Sequence, residues 1–85
     1  RVVDGLISFF ASHHAIRADA VLRRHGFTVA LVPGPRDLSP NCGVALRFLY
    51  ADRDRAVEVL AVHRVRIDGV HRYAPRTDGW TEVRG

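Results

Sequence analysis

Lysine and methionine are absent from the 85-residue chain, and cysteine occurs once, at Cys42. Without lysine there is no Schiff-base chemistry and no lysine general base. With one thiol there is no internal disulfide, and an oxidising compartment would leave that thiol unpaired, so the cytoplasm is the expected location. No apolar run approaches the roughly 20 residues of a membrane-spanning helix, and nothing resembles a cleaved signal peptide. Position 1 is arginine rather than methionine, which implies that the native start lies upstream.

What is present describes one small globular domain, with 47% hydrophobic and 26% charged residues. A chain this short buries only about 60–65% of the surface its unfolded form exposes, so docking to a partner would help its stability. All 13 basic residues are arginine, against nine acidic residues, giving a net charge of +4. An isoelectric point near 10.6 raises the question of nucleic acid. The arginines are dispersed, however, and interleaved with acids as in Asp52-Arg53-Asp54-Arg55, the pattern of a solvated surface. Nucleic-acid binding is therefore the weaker reading.

Leu6 to Phe10 reads as a buried strand. Ser12 follows as a helix N-cap, with Ala15, Ala18, Val21, Leu22 and His25 on one helical face and Gly26 as the stop. Phe27 to Val32 is a second strand, broken by Pro33-Gly34-Pro35. Residues 33–43 form a loop in which Ser39-Pro40 opens a short helical turn. Val44 to Tyr50 alternates as a third strand, with Val44, Leu46, Phe48 and Tyr50 facing one way. Asp52 caps a second helix carrying Ala56, Val59, Leu60 and His63 on one face. Val65 to Ile67 and Val70 to Tyr73 give a fourth strand bulged near Asp68-Gly69. Residues 1–5 are a lead-in, 6–73 the domain, and 74–85 a polar tail that packs loosely or adds an edge strand. The order β-α-β-β-α-β predicts an α+β, ferredoxin-like sandwich, two helices covering one face of a four-stranded antiparallel sheet.

Cys42 follows polar Ser39, Pro40 and Asn41 and precedes Gly43. That context suits an approachable loop thiol better than a buried one. A thiol of ordinary pKa, about 8.5, is only about 3% thiolate at neutral pH, whereas a value near 6.5 makes it mostly thiolate. The shift requires about 2.7 kcal/mol. A helix terminus supplies about 0.3–1 kcal/mol, so cationic neighbours must supply the rest. Arg36 and Arg47 are the candidates by sequence distance, and the first helix begins at the end of the neighbouring strand. His13 and His14 open that helix. With Cys42 they offer a nucleophile-and-base hydrolase, although a solvated or capping histidine pair is the plainer reading. No spacing suggests a metal site, and no cofactor is expected. His25 and His63 read as core-facing, and His71 as a strand-surface residue.

The stretches Ser12-His13-His14-Ala15-Ile16-Arg17-Ala18-Asp19 and Leu31 to Phe48 resemble the selenium/sulfur carrier protein-like domains of bacteria. The specific part is the proline loop leading into Ser39-Pro40-Asn41-Cys42-Gly43 and an arginine-bearing strand. The resemblance covers roughly residues 6–73, with Asp19 where many members have glutamate. It implies a carrier that holds sulfur or selenium as a persulfide or perselenide on Cys42. Arg36, Ser39, Gly43 and Arg47 match the surrounding motif. Sulfur or selenium donor and acceptor proteins are then the partners. A non-enzymatic adaptor whose open sheet face docks another protein is the alternative.

Overall fold

A computed structural model describes residues 4–34, 43–74 and 79–82. The elements run β1 (Gly5–Ser8), α1 (Ser12–Arg24), β2 (Val29–Pro33), β3 (Val44–Phe48), a 3-10 turn (Tyr50–Asp52), α2 (Arg53–Val62), β4 (Gly69–Ala74) and β5 (Gly79–Glu82). All pairings are antiparallel, in the order β2-β3-β1-β4-β5. The α+β class holds, but the expected four-stranded, six-element arrangement does not describe the whole chain. A 3-10 turn precedes α2, and part of the polar tail pairs with β4 as a fifth strand.

β1 lies between β3 and β4, and all four of its residues are buried. On one face Ile7, Leu46, Phe48, Val29 and Val70 meet Ala15, Ala18, Val21 and Leu22 of α1 and Ala56 and Leu60 of α2. Alanine at positions 15, 18 and 56 keeps these helix surfaces flat enough for close approach. Gly5 faces Phe48 across the ladder, and a Cβ there would stand 2.5 Å from the Phe48 ring. Phe48 is fully buried and has nowhere to withdraw. Gly5→Ala is therefore expected to cost about 1–3 kcal/mol through overpacking. Denaturant melts of Gly5→Ala alone and with Phe48→Leu check this: the smaller side chain should recover part of the loss, and simple additivity would refute the steric cause.

Both helices end in the same device. After α1, Gly26 at φ 85° donates its N–H to the Arg23 carbonyl at 3.0 Å, and Phe27 donates to Leu22 at 2.9 Å. After α2, Arg64 at φ 58° donates to Ala61 at 3.0 Å, and Val65 to Leu60 at 2.9 Å. These are paired Schellman closures, the second built without glycine. The C-cap residues are His25 and His63.

Several local expectations are corrected. Ala11, not Ser12, is the N-cap of α1, and no side chain caps it. Asp52 does precede α2 but makes no capping bond; its carboxylate instead lies 3.6 Å from Arg55. Residues 65–67 are not a strand, because the closure of α2 consumes Val65 and β4 begins only at Gly69. The sheet face away from the helices is not open at its centre: Leu6, Ser8, Ala45 and His71 on it are buried. At the margin of that face Ala30, on β2, is exposed.

Candidate functional site

The ends of β1 and β2 and the starts of β3 and β4 fall at one end of the sheet. Pro33 pairs with Val44 and Ser8 with Gly69. Just beyond Pro33, the Gly34 N–H donates to the Gly43 carbonyl at 3.1 Å, closing the neck of segment 35–42. Gly43 is exposed. Cys42, Arg36, Ser39 and the helical turn expected at Ser39-Pro40 lie outside the described residues.

The same end carries the start of α1, which follows β1 after three residues. His13 and His14 occupy its first turn, with ring centroids 4.0 Å apart. The Arg66 guanidinium lies over the exposed Phe10 ring, 5.8 Å from its centroid. Desolvation, then the charges of His13, Arg66 and Arg17, hold the His14 imidazole below its ordinary value. The unfolded chain therefore binds more protons than the folded one between the folded His14 value and about 6.5. Stability from this source is complete above that window and declines as pH falls through it. His14→Gln should flatten the acid limb of a stability–pH curve measured by denaturant titration; an unchanged slope would exclude this origin.

Arg47 lies four residues along the strand from Gly43, roughly 13 Å at ~3.3 Å per residue. It is half-buried on the face away from the helices, opposite Leu6 and Ala30. The fold thus separates the Arg47 backbone from the loop neck and groups Arg66 and Arg17 around His14 instead. Sequence reasoning missed Arg66 because it assigned that residue to a strand; an arginine beyond a helix stop carries no periodic signal.

His71 was also missed. It is 4% exposed, with Nε2 3.0 Å from the Ser8 Oγ, while that hydroxyl lies 3.3 Å from the Gly69 carbonyl. Donation of the single hydroxyl proton to Gly69 leaves Ser8 to accept from His71 Nε2–H. Residue 71 reads as surface only if the second sheet face is assumed bare. His25 and His63 are corrected in the opposite sense: His25 is exposed, His63 half-buried, and the two rings contact each other outside the core.

Comparison with known families decides the relationship. The sequence matches the family described as "Putative Se/S carrier protein-like" over residues 4–72. The chain belongs to this family. The match runs from β1 into β4 and includes the Gly34–Gly43 neck with the cysteine between them in sequence. No curated protein and no solved structure matches the chain. Among the described residues, no helix of this family member is long and apolar enough to cross a membrane.

Proposed function

We propose that this chain carries sulfur or selenium as a persulfide or perselenide on Cys42, exchanging it between donor and acceptor proteins in the cytoplasm. The family match across residues 4–72, which contains the chain's one cysteine, carries this reading. The core formed by β1 to β4 and the two helices is read as a ferredoxin-like scaffold, with the 3-10 turn and β5 as additions.

The chemistry asks little of the scaffold. The Cys42 thiolate attacks the terminal sulfur of a donor persulfide, a bond forms between Sγ and that sulfur, and the donor S–S bond breaks. The electron pair of the broken bond leaves with the donor as its thiolate, and the transfer consumes no external oxidant. Release repeats the step with an acceptor nucleophile attacking the terminal atom. Selenium transfer follows the same course from a perselenide donor. Cationic groups favour the thiolate and persulfide anions, the role assigned to Arg36 and Arg47, with Ser39, Gly43, His13 and His14 as binding residues. The described sheet end adds Arg66 and Arg17 to the available positive charge.

Incubation with a low-molecular-weight persulfide followed by intact-mass measurement tests the reading. The expected product gains the mass of one sulfur atom and loses it on addition of excess dithiol. Protein that stays at its starting mass across donor concentrations would end the carrier reading.

A further inference from the structure

The two histidines that close the helices meet each other. His25 Nε2 and His63 Nε2 are 3.3 Å apart, with ring planes inclined at 71°. They stand in a cleft of about 360 Å³ lined also by Phe27, Arg55, Glu58, Val59 and Val62. We propose that this pair is a binding site for a borderline divalent transition-metal ion of the zinc type.

Three observations support this. The first is the separation. Two imidazole nitrogens about 2.0–2.1 Å from one ion at the tetrahedral angle are about 3.3–3.4 Å apart. The observed spacing matches that edge, so the ring pair that now shares a hydrogen bond is already at ligand separation. The second is electrostatic. Each histidine is the C-cap of its helix, so two helix ends with partial negative charge contribute to one place. Glu58 lines the same cleft and adds a formal negative charge. The third is anchoring. Each histidine backbone is fixed by a Schellman closure, and Arg17 Nη2 donates to the His63 carbonyl at 3.2 Å. Arg55 also lines the cleft, where its guanidinium lies over the Phe27 ring at 5.1 Å and 3.6 Å from the Asp52 carboxylate.

No third histidine, cysteine or acid among the described residues joins the pair in a metal-binding group. Water or a donor atom from another molecule would complete the two remaining positions of a tetrahedral shell. Imidazole nitrogen suits zinc, copper and nickel rather than calcium or magnesium. The site lies on the helix layer, and none of its residues belongs to the loop that bears the cysteine.

The test is calorimetric titration of the full chain with zinc sulfate, repeated on Cys42→Ser, His25→Gln and His63→Gln. One zinc per chain is expected in wild type and Cys42→Ser alike, with affinity reduced at least about tenfold in each histidine variant. Histidine NMR provides a readout on the unaltered sequence: the ring signals of His25 and His63 should shift on zinc addition, while those of His13, His14 and His71 stay in place. Absence of saturable binding would overturn the proposal. So would binding that survives both histidine substitutions or disappears in Cys42→Ser. Because carrier function is measured by chalcogen mass on Cys42, failure of either proposal leaves the other intact.

Discussion

Cys42→Ser is expected to show no gain of one sulfur mass under conditions that load the wild type. The cause is the chemistry of the atom: a serine hydroxyl stays protonated at neutral pH, and its oxygen does not capture sulfane sulfur as a thiolate does. With one cysteine in the chain, no second thiol can substitute. The substitution also leaves the neck of the loop unaltered, because the Gly34–Gly43 bond is made by backbone groups. Melting temperatures of the two proteins should therefore nearly coincide. Loss of loading at equal stability is the expected pair of results; a serine variant that still gains sulfur mass would remove Cys42 from the mechanism.

Phe48→Ala is expected to destabilise the domain by about 3–5 kcal/mol. Phe48 is fully buried at the end of β3, between Val29 on β2 and Gly5 on β1. Gly5 has no side chain with which to refill the space, so the cavity cannot close from that side. At 0.05–0.15 kcal/mol per residue, a domain of this length has a total stability of about 4–13 kcal/mol. The loss is thus a large fraction of the whole and can leave the variant substantially unfolded at 25 °C. Guanidinium melts followed by circular dichroism measure it. A loss below about 1 kcal/mol would mean that the ring is not the keystone of this face.

The elements with strong periodicity were legible in the sequence. Ala15, Ala18, Val21 and Leu22 identify the buried side of α1, and the alternation from Val44 to Phe48 identifies β3 and its core face. Gly26 marked the end of α1 correctly because its positive φ is a local requirement. Arg64 meets the same requirement at the end of α2 without glycine, so that stop sent no signal and residues 65–67 were read as strand. The burial of His71 depends on Ser8, 63 positions away, and on a sheet face whose burial no local pattern reveals. The approach of His25 to His63 depends likewise on how two helix ends converge. In the candidate site, the cysteine and its flanking glycine were plain from sequence, whereas the cations around His14 became visible only when Arg66 returned to the same sheet end.

The central place of β1 has a consequence for biosynthesis. The strand is synthesised before its partners yet must pair with residues 69–72 on one flank and 46–48 on the other. A nascent chain halted before Gly69 would hold Leu6 and Ile7 beside an unfilled hydrogen-bonding edge, the kind of surface that recruits neighbouring chains. Completion of the sheet must wait until residues 69–72 have left the exit tunnel, so β1 is expected to stay unpaired on that flank until then.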